Sequence, residues 1–312
     1  MSTPKVIFID SVHPILFERL QAAGYHCEWQ TELGRDDILK CIGDYKGAVI
    51  RSKFKFDKEM LNAATNLKWI ARSGAGMENI DVEYANQKEI ACFNSPEGNR
   101  DAVAEHALGM LLMLFNKLKH GDAEVRKGQW NREKNRGTEL KGKTVGILGY
   151  GYMGAAFAER LQGFGVKVIA YDKYKKNFAK ELVKEVDEST LFTESDVLSI
   201  HLPLTEETTF MIDRNYLSNF KKPIYLINTA RGKNLKTADL LKALESGKVL
   251  GACLDVLEYE NTSFEQIAAD ELPPAFKDLI SRENVILSPH VAGWTAESYE
   301  KLSAVLAEKI LS

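Results

Sequence analysis

The chain has 312 residues, 45% hydrophobic and 27% charged, which is length enough for two compact domains with cores of their own. A formal net charge of -3 at pH 7 argues against nucleic-acid and anionic-membrane partners, for which a basic excess is expected. Cys27, Cys41, Cys92 and Cys253 stand far apart beside apolar segments, so they are read as reduced core thiols in a reducing compartment. Histidines and acids do not cluster at ligand spacing, so no metal is expected. The first residues run straight into a strand without the architecture of a signal peptide. The longest apolar run, Leu108 to Phe115, is far shorter than the roughly 18 residues of a membrane span. The expectation is a soluble, cytoplasmic protein.

Val6 to Ile9 reads as a short buried strand, and Pro14 to Ala23 as a helix stopped by Gly24. Gly47 to Ile50 is a second strand. Asp57 is placed to cap a helix over 58–64, Leu67 to Ile70 is a third strand, Asp81 caps a helix over 82–88, and Ile90 to Phe93 is a strand. Asn94 to Asn99 is expected to be a turn-rich break. Ala102 to Lys119 is then a long helix pattern, too apolar for a solvent face, and 128–143 is polar and irregular. From Thr144 a second unit alternates strand 144–149, helix 153–163, strands 166–171, 196–201 and 223–228, helix 237–246, and strands 249–254 and 284–287. A last helix over 298–311 is expected to pack back on the first unit. Alternation of this kind specifies parallel sheets with helices on both faces. The expected fold is therefore α/β, two doubly wound parallel-sheet lobes with a cleft between them. The boundaries are 1–100 plus 291–312 for one domain and 101–290 for the other.

Thr144-Val-Gly-Ile-Leu-Gly149-Tyr-Gly151-Tyr-Met-Gly154 places a glycine-rich fingerprint between a strand and a helix. Gly149 permits the tight turn, Gly151 lets backbone approach a pyrophosphate, and Gly154 lets the helix pack on the strand. The helix N-terminus offers free N–H groups to phosphates. The next strand ends in Asp172, a carboxylate that would accept from both ribose hydroxyls and repel a 2′-phosphate, so NAD is favoured over NADP. Lys173, Lys175 and Lys176 follow closely and could soften that preference.

Arg231, Glu260 and His290 follow in order behind the fingerprint. Arginine is planar and always charged, suited to a bidentate grip on a carboxylate. Histidine titrates near neutrality and can move the hydroxyl proton that must leave when a hydride leaves C2. A carboxylate beside it would fix the tautomer and stabilise the imidazolium. His106, inside the apolar helix, is read as structural, and His201 as bordering a nucleotide. Matching segments over essentially the whole chain are Arg72 to Asp81, Ala104 to Leu108, Gly149 to Gly154, His201 to Thr205, Asn228 to Gly232, Gly251 to Val256 and Ser288 to Gly293. In these the sequence resembles the D-isomer-specific 2-hydroxyacid dehydrogenases. The resemblance implies a flavodoxin-like substrate domain and a Rossmann cofactor domain. It makes Arg231 the substrate arginine, Glu260 (rather than Glu258, from the family's spacing after Asp255) the histidine-linked acid, and His290 the acid/base. It also implies that Asp255 meets the nicotinamide carboxamide and that Tyr152, Met153, Leu202, Thr229, Ala230 and Gly293 line the dinucleotide.

Within the family, Arg51-Ser-Lys53, Arg72 to Gly76, Asn94 to Asn99 and Gly137 to Gly149 are most similar to the phosphoglycerate dehydrogenases. That similarity puts the amides of Ser73, Gly74, Ala75 and Gly76 on a substrate carboxylate and Arg51, Ser52 and Arg72 on the distal side of the substrate, with Arg51 and Arg72 meeting a phosphate. Arg132 could reach in from the polar arm. A solvated strand end is the plain alternative for Arg51 and Arg72. The expected partner is a small 2-hydroxy or 2-oxo acid, either 3-phosphoglycerate or, as the alternative, glyoxylate or hydroxypyruvate. An NAD-sensing binding module is a third, remote reading. Asn261-Thr-Ser-Phe-Glu replaces the proline that commonly follows the family's glutamate, and the stretch from Tyr259 to Leu279 is long and acidic. The chain ends soon after its last helix, so serine feedback through a further domain is not expected. The 102–119 helix and the arm after it suggest a homodimer.

Overall fold

The computed structural model describes residues 3–260 and 272–312, so most of the acidic stretch and Asn261 to Glu265 lie outside the described residues. Two compact units result. The smaller takes 3–100 with Trp294–Ser312, and the larger takes Asp101–Glu260 with 272–293.

In the smaller unit, strands β1 (Lys5–Phe8), β2 (His26–Trp29), β3 (Gly47–Ile50), β4 (Trp69–Arg72) and β5 (Ala91–Asn94) form a parallel sheet in the order β2-β1-β3-β4-β5. This is the flavodoxin-like winding. Between the strands run helices α1 (Pro14–Ala22), α2 (Arg35–Cys41), α3 (Lys58–Ala63) and α4 (Val82–Gln87). Asp57 and Asp81 cap α3 and α4, each accepting from a backbone N–H three residues on, at 3.1 and 3.0 Å. Strand β4 sits two residues later than the sequence pattern suggests, because Leu67 closes a turn on Ala64 and the ladder pairs Gly47 with Trp69 and Ile50 with Arg72.

Asn94 to Asn99 is not the break that its Pro, Gly and Asn suggest. Helix α5 (Pro96–Phe115) starts inside it, since proline at the first helical position loses no hydrogen bond. Gly98 is there for contact: a Cβ would lie 2.6 Å from the Leu302 nitrogen. Leu302 belongs to α12 (Ala296–Leu311), which returns to the smaller unit as expected. Leu306 and Ala307 share a core with Val6, Phe8, Leu16 and Leu20, and Ser303 Oγ accepts from His13 N at 3.1 Å.

In the larger unit, α6 (Leu118–Arg126) leads through a stretch without helix or strand into β6 (Thr144–Leu148) and α7 (Tyr152–Arg160). There follow β7 (Lys167–Tyr171), β8 (Lys184–Glu185), α8 (Glu188–Glu194), β9 (Val197–Ile200), α9 (Arg214–Ser218) and β10 (Ile224–Asn228). The unit ends with α10 (Thr237–Glu245), β11 (Val249–Leu254), α11 (Pro274–Ser281) and β12 (Val285–Leu287). The strands pair in parallel in the order β12-β11-β10-β9-β6-β7-β8. This is the doubly wound Rossmann order with an added strand, and it reverses direction between β6 and β9.

One face of this sheet buries Val145, Ile147 and Ile227 against Phe157 of α7 and against Ala104, Ala107, Leu111 and Leu114 of α5. Burial of that row explains why the α5 pattern is apolar beyond what a surface needs, and a fully buried side chain such as Phe157 contributes about 2–3 kcal/mol. The opposite face packs Leu198, Ile200 and Leu226 with Leu240, Leu244 and Leu279. All four cysteines are free, Cys27 and Cys253 buried and Cys41 and Cys92 half-buried. Among the described residues, no helix is long and apolar enough to cross a membrane, and no His/Cys/Asp/Glu group could hold a metal ion.

Candidate active site

The fingerprint occupies the switch point, where β6 hands over to α7. Gly149 has φ +90°, and a Cβ there would stand 2.6 Å from the His201 carbonyl oxygen. At Gly154 a Cβ would stand 2.2 Å from the Gly149 oxygen. Both positions therefore require glycine for packing. Gly151 is different: a Cβ would meet nothing within 4 Å, and as the N-cap of α7 it supplies no side-chain cap. Open space at the N-terminus of a helix is what a pyrophosphate needs, so these residues fit a dinucleotide. Tyr152 is exposed, Met153 half-buried and Leu202 half-buried beside Gly149. Among the described residues, the buried Thr229 Oγ1 and His201 Nδ1 have no hydrogen-bond partner, leaving polar atoms for a ligand at the ends of β10 and β9.

Asp172 follows β7 and accepts from the amides of Tyr150 (2.8 Å), Tyr174 (3.0 Å) and Lys175 (2.8 Å). Partial burial opposes ionisation, but these N–H groups and Lys175 together hold its carboxyl below the ordinary range. The three following lysines are all engaged: Lys173 with Glu207, Lys175 Nζ with Tyr150 O at 3.2 Å, and Lys176 Nζ with Asp172 O at 2.8 Å. The sequence alone does not reveal Glu207, which neutralises Lys173 and also accepts from Tyr174. His201 Nε2 pairs with Ser199 Oγ at 2.8 Å, and burial pushes its pKa down to about 4, so it stays neutral.

Arg231, Glu260 and His290 stand on the loops that leave three adjacent strands, β10, β11 and β12. The buried Asn228 shapes the first loop: its amide donates to Arg231 O at 3.0 Å and its oxygen accepts from Ala230 N at 3.1 Å. Gly232 brings that loop against the second, since a Cβ there would fall 1.9 Å from Leu257 O. Leu257 N in turn donates to Glu260 Oε1. The other carboxylate oxygen, Oε2, lies 2.7 Å from His290 Nδ1. A carboxylate only accepts, so Nδ1 carries the proton and Nε2 is the nitrogen left for chemistry.

His290 has φ +54°, a left-handed backbone that costs a non-glycine residue on the order of 1 kcal/mol or more. Asp255 over-determines it. The Asp255 carbonyl accepts from His290 N at 2.8 Å. Its carboxylate, 1% exposed, accepts from Val291 N and Ala292 N, both at 2.9 Å, and from Ser288 Oγ at 2.6 Å. Since the serine proton goes to Asp255, His106 Nε2 must donate to Ser288 Oγ, at 2.8 Å. His106 is thus structural, as its place in the apolar helix suggests. Asp255 and Ser288 fix the loop that ends at Gly293, a role that spacing does not reveal.

The substrate-side residues lie on the smaller unit. Ser73 N is spent on Ile50 O at 2.8 Å. The amides of Gly74, Ala75 and Gly76 have no acceptor among the described residues, so the anion nest is three amides long rather than four. A Cβ on Gly74 would fall 2.2 Å from Arg72 Nη1, so the Arg72 guanidinium lies against Gly74. Arg72 Nε also donates to Arg51 O at 3.2 Å. Ser52 N donates to Asp10 Oδ2 at 3.1 Å.

The model of the D-isomer specific 2-hydroxyacid dehydrogenase NAD binding domain matches residues 108–292. A D-3-phosphoglycerate dehydrogenase of Archaeoglobus fulgidus is 34% identical over 99% of this chain, and the chain spans 57% of that relative's length. A hydroxypyruvate reductase of Thermotoga maritima is 36% identical, covering 94% of this chain and 90% of the relative. The crystal structure of a glyoxylate reductase from Paecilomyes thermophila superposes with a TM-score of 0.87 at 27% identity, covering 100% of this chain and 95% of that one. The chain belongs to the D-isomer specific 2-hydroxyacid dehydrogenase family. Its larger unit is that family's NAD binding domain, and NAD is its cofactor.

Proposed function

We propose that the protein interconverts a D-2-hydroxy acid and its 2-oxo acid, with D-3-phosphoglycerate and 3-phosphohydroxypyruvate as the substrate pair. The observation that carries the chemistry is the 2.7 Å contact between His290 Nδ1 and Glu260, on the strand ends beside Arg231. In this reading Arg231 grips the substrate carboxylate and polarises C2–O. His290 Nε2 accepts the hydroxyl proton in oxidation and returns it in reduction, while Glu260 stabilises the imidazolium. Gly149, Gly151, Gly154, Asp172 and Thr229 hold NAD, which supplies the hydride acceptor when bound, while the buried Asp255 fixes the His290 loop instead of meeting the nicotinamide carboxamide. Residues 101–290 are the proposed NAD-binding domain, and 1–100 with 291–312 the substrate domain.

The phosphate reading is supported by Arg51, whose Nη1 donates only weakly, to Ser11 O at 3.4 Å, and by the Arg72 guanidinium beside Gly74. Reduction of hydroxypyruvate or glyoxylate is the second reading. It is supported by the 36% identity to the Thermotoga maritima hydroxypyruvate reductase. The test is NADH oxidation with a panel of 2-oxo acids with and without phosphate. Faster turnover of unphosphorylated acids rejects the phosphate reading, and no turnover of any rejects the activity. A homodimer is supported by exposed Met113, Leu118, Val125 and Trp130 on and after α5 and α6, and a monomeric mass in sedimentation at micromolar concentration would contradict it.

A further inference from the structure

Trp294 is 48% exposed, an unusual setting for the largest apolar side chain. It follows the His290 loop in sequence but belongs to the smaller unit. There the Arg51 guanidinium carbon sits 4.1 Å from the indole centroid, within cation–π range. The indole also packs on other rings: Tyr299 meets it edge-on at 5.6 Å, and His13 meets Tyr299 edge-on at 5.5 Å. The indole is therefore held in a fixed orientation on which an arginine can rest.

Arg51 has little else to hold it. Its Nη1 donates to Ser11 O at 3.4 Å, a weak bond. Asp10 is the nearest acid acting on it, but one oxygen, Oδ2, is already occupied by the backbone amides of Arg51 (2.5 Å), Ser52 (3.1 Å) and Lys53 (3.3 Å). Burial disfavours the charged form of Arg51, yet guanidinium stays ionised in any protein setting. A partly buried, permanently charged group whose acidic neighbour, Asp10, is already shared with three backbone amides is costly unless a ligand completes it. A cation–π contact consumes no guanidinium N–H donor, so the Arg51 fork can still meet a bidentate oxyanion.

We propose that Trp294 is a positioning residue that holds the Arg51 guanidinium for the distal phosphate of the substrate, and so sets the preference for phosphorylated over unphosphorylated 2-oxo acids. This rests on the phosphoglycerate reading above. The experiment compares kcat/KM for 3-phosphohydroxypyruvate and hydroxypyruvate, two substrates that differ only in the phosphate, in the wild type and in variants. The wild type prefers the phosphorylated acid. Trp294→Leu keeps apolar bulk but lacks the aromatic face, and lowers that preference roughly five- to tenfold, through KM of the phosphorylated substrate. Trp294→Phe restores most of it. Arg51→Ala removes the preference, and adding Trp294→Leu to it changes nothing further.

The proposal is overturned if Trp294→Leu keeps the wild-type ratio, or if it lowers kcat for both acids alike, as a merely structural role would. It is also overturned if the Trp294→Leu effect persists without Arg51. A wild type that prefers hydroxypyruvate defeats the phosphoglycerate reading and this proposal with it. That result is read from the wild type alone, so the two failures are distinguishable.

Discussion

Gly232→Ala is the sharpest perturbation of the loop packing beneath Arg231. The new methyl would stand 1.9 Å from Leu257 O, 2.0 Å from Leu257 C and 2.6 Å from Glu258 N. All three are backbone atoms, so no side chain can swing aside, and the two loops must separate by more than 1 Å to reach an ordinary contact of about 3.4 Å. Overpacking of this kind costs roughly 1–3 kcal/mol. In a unit of this size each kcal/mol lowers Tm by about 2–4 °C, so a fall of ~2–12 °C is expected. The displaced segment carries Glu260, which orients His290 at 2.7 Å, and a misplacement of ~1 Å can cost on the order of a hundredfold in turnover. Thermal unfolding and steady-state NADH oxidation, assayed well below the lowered Tm, measure both effects. An alanine variant with wild-type Tm and wild-type kcat would show that the loops are not packed as described.

Gly151→Ala should behave in the opposite way, because its Cβ meets nothing within 4 Å. Its Tm should move by only a few degrees, while NADH affinity falls about tenfold or more as the methyl fills the approach of the pyrophosphate, and unchanged NADH binding in a titration would refute this. Asp172→Ser should raise the ratio of NADPH to NADH use by roughly tenfold, since the neighbouring lysines are already engaged; a ratio equal to the wild type's would contradict the role. Because the Asp172 pKa is lowered in the fold, its charge stabilises at neutral pH and that stability is lost as pH falls through its folded pKa. The stability gap between wild type and Asp172→Asn, measured by urea unfolding, should therefore close in acid, and a gap that widens would reverse the sign. His201 is held neutral with a pKa of about 4, so His201→Asn should leave the pH dependence of turnover between about pH 5 and 9 unchanged, and a shifted profile would assign it a part in proton transfer.

Most of this architecture was legible because buried parallel strands are short apolar runs punctuated by glycine and by capping acids, as at Gly47–Ile50, Asp57 and Asp81. The fingerprint was legible for the same reason, since Gly149 and Gly154 answer steric demands of the fold and Gly151 leaves the helix N-terminus open. Strand β2 was not, because as an edge strand it mixes His26 and Glu28 with Cys27 and Trp29. Helix α2 is seven residues long and largely polar, so it shows no apolar stripe. The start of α5 was hidden because proline and glycine read locally as a turn, and only the approach of Leu302, some two hundred residues away, explains Gly98. Among the candidate site residues, Arg231 and His290 stood out by chemical type and order, whereas Glu260 was separated from Glu258 only by the family's spacing after Asp255. The positioning network of Asp255, Ser288 and His106, the Glu207 clasp on Lys173 and the Trp294 shelf under Arg51 depend on long-range contacts that no local pattern carries.

In the proposed mechanism His290 is the proton-transferring group, oriented by Glu260 beside Arg231. The direct measurement is NADH oxidation by His290→Asn with the best 2-oxo acid of the panel, alongside an NADH binding titration. Turnover should fall roughly 100- to 10,000-fold, the range of general acid–base catalysis, with NADH affinity nearly unchanged. Wild-type turnover in that variant would contradict the mechanism outright.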